Sequence, residues 1–335
     1  MNIYSYIEVL HEVSGVQKVL LDIHNGLKKY YHAQIASYLS YKEITRYFDI
    51  PESEYVQIKS MKDLNHGLVI THERKASTRC CLYNLLPWMN LKQIHVQHSL
   101  YDNLKWVSLY PKIIVSISDK VTNNLTTFFR VNPSKICKIH NGIEDSYHDS
   151  DIKTPNKNAI KIAYIARIDE NKRQVDIVKY LKGKLLPNIH IDFWGDGPLY
   201  NDLCNIIGSD KNFHALGYCS DVDGILPNYD YVMLFSKKEG LPITLIEGCM
   251  HGKPLIVNDA GGNWEIGING KNAFAACTWE ELLTVLNNLS NISSKEYWNL
   301  AHNSRIHYLE EFEYSLMIKK YRYLIETIEH NVCGK

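Results

Sequence analysis

Short apolar, β-branched runs alternate along this chain with stretches of helical period. In the first half, runs near 3–9, 34–39, 67–71, 93–97, 112–117 and 136–139 predict strands with helices between them. The clearest helix covers Val16 to Tyr30, where Val16, Val19, Leu20, Ile23 and Leu27 share one face. Residues 40–66 are polar and show no decisive period. Asn141 to Asn158 is polar, acidic and aperiodic, which predicts a linker. The alternation then resumes. Strands are predicted at 160–165, 189–194, 212–215, 230–235, 254–257 and 273–275, with helices near 172–183, 198–207, 242–251 and 279–290. The tail 294–330 reads as helical, with no Pro or Gly between Ser294 and Val332. Such alternation predicts an α/β protein with two doubly wound parallel sheets, separated near residue 150. Ligands of these folds sit at the carboxyl ends of the strands.

Composition narrows the class. The 335 residues are 45% apolar and 22% charged, which excludes a disordered chain. Lys+Arg and Asp+Glu both number 37, which argues against a nucleic-acid partner held by bulk charge. The halves differ, however. Residues 1–140 hold 17 Lys/Arg against 11 Asp/Glu, and residues 141–335 hold 20 against 26. The basic first half, with Lys18, Lys28, Lys29, Lys105 and Lys112, suggests contact with something anionic, either a phosphorylated substrate or, peripherally, anionic lipid of the inner leaflet. Plain scatter is the competing explanation. No run reaches the roughly 18 apolar residues of a membrane span, and the N-terminus reads as a strand rather than a leader. Eight scattered cysteines without a CxxC pair suit reduced thiols of a cytoplasmic protein.

The strongest chemical signal is EGLPITLIE, where Glu239 and Glu247 flank a turn and a helix start near Ile243. Free amides at a helix N-terminus suit a phosphate, and a carboxylate one turn further can accept two ribose hydroxyls. A capped surface helix would carry the same two acids. Gly-rich segments at other strand exits shift the weight: WGDGP (Trp194 to Pro198), Leu216-Gly217-Tyr218 and AGGNWEIGINGKNAF (Ala260 to Phe274). In ARIDENK, Arg167 and Lys172 place two cations on one loop, enough to neutralise a diphosphate unless Asp169 and Glu170 pair with them. Gly15, beside Ser14 and Val16, lets a backbone amide approach a ligand at the first helix. His95 and His98 are three apart, on opposite faces of a strand, which argues against a shared metal site. His98 is the better candidate for a ligand crevice.

Several motifs are missing. There is no HExxH, P-loop or GxSxG elbow, and Asp149-Ser150-Asp151 fits DxD only by letters, in the linker. Metal-dependent hydrolysis, phosphoryl transfer and esterase chemistry lose support.

The segment from Glu239 to Phe274 resembles the donor-site signature of retaining glycosyltransferase family 4. SGVQKV, HVQHS, VSISDKV, HNGIE, ARIDENK, WGDGP and LGY follow that family's order. The sequence departs from it in a single Gly on the first loop, in Ala166 for a usual Gly, and at Asn263-Trp264. The resemblance implies the GT-B fold: two Rossmann-like domains facing across a cleft. Residues 1–150 would be the acceptor-side domain and 151–310 the donor domain. Residues 311–335 would form a helix crossing back to the first. It implies a metal-independent retaining transferase using a nucleotide diphosphate sugar and no other cofactor. The acceptor would be a glycan or a polyprenyl-diphosphate-linked glycolipid, in bacterial surface polysaccharide synthesis. Arg167 and Lys172 would hold the diphosphate, with Leu241, Pro242 and Ile243 lining it. Glu239, beside Gly240, would contact the sugar, Glu247 the ribose, and Gly217 and Tyr218 the base. Gly15 and Val16 would admit the phosphate. His98 would face the sugar and acceptor, and Ser118 would contact the acceptor. An epimerase on the same fold, or a degenerate binding protein, are the alternatives.

Overall fold

A computed structural model describes residues 1–8, 10, 15–147 and 152–333, with side chains through Glu329. The chain forms two compact units: Met1–Asn141 with Tyr314–Lys335, and Gly142–Glu313.

Unit 1 is built on seven strands: β1 (Ile3–Tyr6), β2 (Ala33–Ser37), β3 (Tyr55–Gln57), β4 (Leu68–Thr71), β5 (Lys92–Gln97), β6 (Ile113–Ser116) and β7 (Ile136–Lys138). Their order is β3-β2-β1-β4-β5-β6-β7, and every pair is parallel. The inner strands β1 and β4 are buried along their whole length, as continuous apolar runs in parallel sheets are. Four helices join the strands: α1 (Gly15–Leu27), α2 (Tyr41–Ile44), α3 (Arg74–Tyr83) and α4 (Asp119–Thr127). On α1 the predicted face is buried at Val19, Leu20, Ile23 and Leu27. The polar stretch 40–66 hides α2 and the edge strand β3.

Unit 2 carries β8 (Ile160–Ile165), β9 (Ile189–Trp194), β10 (Phe213–Gly217), β11 (Tyr231–Leu234), β12 (Leu255–Val257) and β13 (Ala273–Ala275), in the order β10-β9-β8-β11-β12-β13, again parallel. Its helices are α5 (Gln174–Leu181), α6 (Tyr200–Ile207), α7 (Val222–Ile225), α8 (Ile243–Met250), α9 (Asn263–Ile266), α10 (Trp279–Asn288) and α11 (Ser294–His307). The last helix, α12 (Tyr314–Cys333), returns to unit 1.

Two boundaries differ from the sequence reading. The first unit ends at Asn141, not near 150, because the supposed linker begins as part of unit 2. Arg305 on α11 grips Asp145 with two hydrogen bonds, of 2.8 and 2.5 Å. The tail is not one helix. It widens into a π turn at Tyr308–Phe312 and breaks at Glu313, which is extended (φ −67°, ψ 138°). The Ile143 N–H donates to Phe312 O at 3.0 Å, and the Tyr308 hydroxyl donates to Ile143 O at 2.8 Å. These bonds replace the helical ladder where the chain leaves unit 2. Past the break, α12 packs on α1, where Ile318 lies against Gly26 and the Tyr314 hydroxyl donates to Asp22 O at 2.7 Å. Among the described residues no helix is long and apolar enough to cross a membrane, and the described cysteines are free thiols.

Candidate functional site

Strand order dictates where chemistry can gather in unit 2. The chain leaves β8 toward β9 on one side and β11 toward β12 on the other. The loops after β8 and β11 therefore diverge and open a crevice at their carboxyl ends. ARIDENK follows β8 and EGLP follows β11. The crevice brings Lys172 and Glu239 together: Nζ lies 2.6 Å from Oε1, with the two side chains only 19% and 9% exposed.

Three further residues hold this pair, of which sequence reasoning passed over Asn171 and Tyr164. The Asp169 carboxylate accepts from the Lys172 N–H at 2.9 Å, closing the turn. Asn171 staples the two loops: its side-chain amide donates to Lys238 O at 2.9 Å and accepts from Lys238 N–H at 3.0 Å. The buried Tyr164 hydroxyl donates to Lys172 O and accepts from Phe235 N–H at 3.2 Å. Tyr164 reads from sequence as an ordinary apolar strand position. Only its register beside β11 shows the phenol's task.

Arg167 behaves differently from Lys172. Its side chain is 67% exposed, and its guanidinium lies 3.9 Å from Asp169. One cation of the loop is thus committed to Glu239, while the other stands in solvent at the crevice rim.

Helix α8 begins at Ile243 with Pro242 at its cap and no capping side chain. Thr244 Oγ1 donates to Ile165 O at 3.0 Å, tying this first turn to the end of β8. Leu241 and Pro242 are buried, so their side chains belong to the core. Glu247, one turn in, is buried as well. Gly217 and Tyr218 lie at the exit of the edge strand β10, and the Tyr218 ring is exposed. Gly217 O accepts from Gly195 N–H at 2.7 Å, linking that exit to the WGDGP loop.

Sequence reading gave the glycines to tight turns and ligand approach, and the structure adds a further use, since several serve the packing of the chain on itself. A Cβ at Gly195 would stand 2.0 Å from Ala166 O, and one at Gly261 would stand 1.8 Å from Glu239 O. These glycines let one strand-exit loop lie directly on another. Gly15 is the contrast, since a Cβ there meets nothing within 4 Å. Its neighbour Ser14 and the Asp149-Ser150-Asp151 triplet fall outside the described residues. Val16 follows Gly15 in the first turn of α1 and is half-buried.

In unit 1 the corresponding switch point lies between β1 and β4. His72 follows β4, and His98 follows β5. His72 Nδ1 and His98 Nε2 are 3.1 Å apart, with stacked rings. His72 Nε2 is buried and has no hydrogen-bond partner among the described residues. An orphaned N–H is rarer than an orphaned lone pair. We therefore assign the proton of His72 to Nδ1. His98 then accepts at Nε2 and carries its own proton on Nδ1, as a neutral donor. Burial pushes the His98 imidazole down to about 3, so it does not act as a cation near neutrality. His95 is held elsewhere, by Thr71 and by Gln97 at 2.9 Å. Ser118 loses its assignment to an acceptor. It is fully buried, and its hydroxyl caps α4 by accepting from Val121 N–H at 3.3 Å.

The buried histidines make stability depend on pH. Burial lowers His95 from 6.5 to about 4 and His72 well below its ordinary value. Both stay neutral when folded, whereas the unfolded chain takes up their protons. Stability is therefore full above pH 6.5 and falls as the pH drops toward 4, by about 1.4 kcal/mol per unit for each histidine. Thermal unfolding across this range should show a steep acid slope that His95→Gln flattens. An unchanged slope in the variant would remove this histidine from the account.

The family model described as glycosyl transferases group 1 matches residues 147–306. Residues 147–306 are thus similar to group 1 glycosyltransferases. The chain is 27% identical over 178 residues to the UDP-Gal:alpha-D-GlcNAc-diphosphoundecaprenol alpha-1,3-galactosyltransferase of Escherichia coli, covering 48% of this chain and 44% of that protein. It thus spans less than half the length of that curated relative. A solved glycosyltransferase from Rickettsia africae ESF-5 superposes with a TM-score of 0.81 at 19% identity, covering 98% and 99% of the two chains. Anabaena HepE in complex with UDP superposes at 0.80, with 15% identity and coverage of 98% and 100%. These structures show the GT-B fold. The matched residues 147–306 contain every unit 2 element that forms the crevice.

Proposed function

We propose that this chain is a metal-independent, retaining glycosyltransferase. It would move a hexosyl group from a nucleotide diphosphate sugar to a hydroxyl of a glycan or a polyprenyl-diphosphate-linked glycolipid. The setting would be bacterial surface polysaccharide synthesis at the cytoplasmic face of the membrane. The observation that carries this reading is the shielded Lys172–Glu239 pair at the mouth of α8. The UDP complex of Anabaena HepE and the lipid-diphosphate acceptor named for the E. coli relative support it.

In this reading the C1–oxygen bond of the donor breaks and its electron pair goes to the diphosphate. The acceptor oxygen bonds C1 on the same face, and its proton passes to the leaving phosphate oxygen. Lys172 and Arg167 offset the growing charge, with the helix dipole of α8 adding about half a positive charge. The amides of Leu241 and Ile243 line the phosphates beside Gly240 and Pro242. Glu239 accepts sugar hydroxyls, Glu247 accepts those of the ribose, and Gly217 and Tyr218 lie beside the base. Unit 2 is then the donor domain and unit 1 the acceptor-side domain. For Gly15, Val16 and His98, contact with donor or acceptor rests on the sequence resemblance. The neutral His98 suits a hydrogen bond to a hydroxyl.

The test is an assay of nucleotide-sugar consumption with and without a glycolipid acceptor, in the presence and absence of EDTA. Release of nucleoside diphosphate should accompany acceptor glycosylation with the donor's anomeric configuration, and should persist in EDTA. Complete loss on chelation, restored by manganese, would overturn the metal-free mechanism. Conversion of the donor sugar without an acceptor would point to an epimerase.

A further inference from the structure

The basic excess of residues 1–140 is not spread evenly. Residues 74–112 hold Arg74, Lys75, Arg79, Lys92, Lys105 and Lys112 against the single acid Asp102. Lys28 on α1, outside this stretch, pairs with Glu54 at 2.9 Å. The same stretch is also the apolar part of the surface. Of the eighteen large apolar side chains exposed among the described residues, eight lie between Leu82 and Leu109. Trp106 is 88% exposed, and Leu104 and Val107 beside it are 62% and 63% exposed.

The fold gathers these groups. Leu82, Tyr83, Leu104 and Val107 wall a cavity of about 740 Å³ that is also lined by Arg74, Lys75 and Arg79 and by two acids, Glu8 and Glu73. The loop is held against α3, so its apolar tip is presented rather than loose. Leu109 N–H donates to Thr78 Oγ1 at 3.0 Å, and Ser77 Oγ donates to Leu109 O at 3.2 Å. The Arg74 guanidinium donates to Asn103 O at 2.8 Å and sits 4.1 Å from the centre of the Tyr101 ring. Lys75 and Arg79 also pair with Glu8, at 2.9 Å each.

Leu104 adds an independent sign. Its φ is +53°, a conformation that glycine adopts freely and leucine does not. The chain accepts that strain to hold an apolar side chain out in water, which is a reason to look for a function.

We propose that the tip Leu104–Val107, with Leu82 and Tyr83 beside it, inserts into the headgroup region of an anionic bilayer, the surrounding cations meeting the lipid phosphates. The composition favours a bilayer over a protein partner. Lysine is depleted in protein interfaces, and Leu and Val are rare among their hot spots. Tryptophan set among aliphatic and basic side chains is what membrane interfaces select. The proposal rests on the lipid-linked acceptor in the reading above and specifies where that lipid's membrane would be met.

The test is flotation of the full chain with vesicles of phosphatidylcholine alone or doped with phosphatidylglycerol, without donor or acceptor. Binding should require the anionic lipid. Trp106→Ser and Leu104→Gly should each weaken partitioning by about ten-fold, the effect of losing one inserted apolar side chain. Leu104→Gly should keep or raise the melting temperature, because glycine suits that φ. Absence of binding at low salt, or variants that bind like the parent chain, would overturn the proposal. So would self-association of the parent chain that these variants abolish. Sugar transfer to a short soluble acceptor is scored separately. Its survival without vesicle binding would sink this inference and leave the transferase reading standing.

Discussion

Replacing Lys172 by alanine is expected to lower kcat/KM by about 10²–10³-fold, the usual effect of losing one donor aimed at developing charge. The geometry makes Lys172 more consequential than Arg167. Its ammonium is 2.6 Å from the Glu239 carboxylate, and both are largely shielded from water. Without it, a carboxylate stands uncompensated where a diphosphate must enter. The loss should therefore be partly relieved by adding Glu239→Gln, making the double variant better than the sum of the singles. Backbone anchoring through Tyr164 and Asn171 does not use the lysine side chain, so the loop should keep its shape. Steady-state kinetics of the four proteins decides the matter. Near-normal turnover in Lys172→Ala would reduce the pair to a structural ion bridge.

Gly261→Ala should be nearly as damaging without touching a charged group. Gly261 has a φ of +54°, and an added Cβ would lie 1.8 Å from Glu239 O and 2.4 Å from its carbonyl carbon. Those are backbone atoms, so the Glu239–Gly240 peptide itself must move. The bond from Gly262 N–H to Gly240 O, now 2.9 Å, would be disturbed with it. A displacement of about 1 Å in a catalytic group can cost 10²-fold in rate, and a loss of about that size is expected. Gly270→Ala is the control. Its φ is +72°, but a Cβ there meets nothing within 4 Å. It should cost roughly 1–2 kcal/mol of stability and leave turnover intact. Equal activity in the two variants would show that the Gly261 contact does not position Glu239.

Much of the architecture was legible in the sequence. Runs such as IKIAYI and YVML announce buried parallel strands, because a strand covered on both faces cannot alternate with polar residues. The face of α1 and the start of α8 are likewise local signals, carried by spacing and by Pro242. The edge strand β3 was hidden, since a short strand at a sheet margin buries little and its composition stays polar. What the sequence could not reveal is which loops meet. Lys172 and Glu239 are far apart along the chain, and their approach follows from the order β8-β11 at the switch point. Asn171, Tyr164 and His72 acquire roles only through partners in the loops that follow strands. Ser118 loses one to helix capping, and Gly195 and Gly261 turn out to accommodate neighbouring backbone. The helical tail shows the same division. Its side chains favour helix throughout, yet it breaks at Glu313 without Pro or Gly, where Ile143 takes over the hydrogen bond of Phe312. Periodicity along the chain records how deeply each residue is buried. Which residue it is buried against depends on strand order and packing, and these exist only once the sheets have formed.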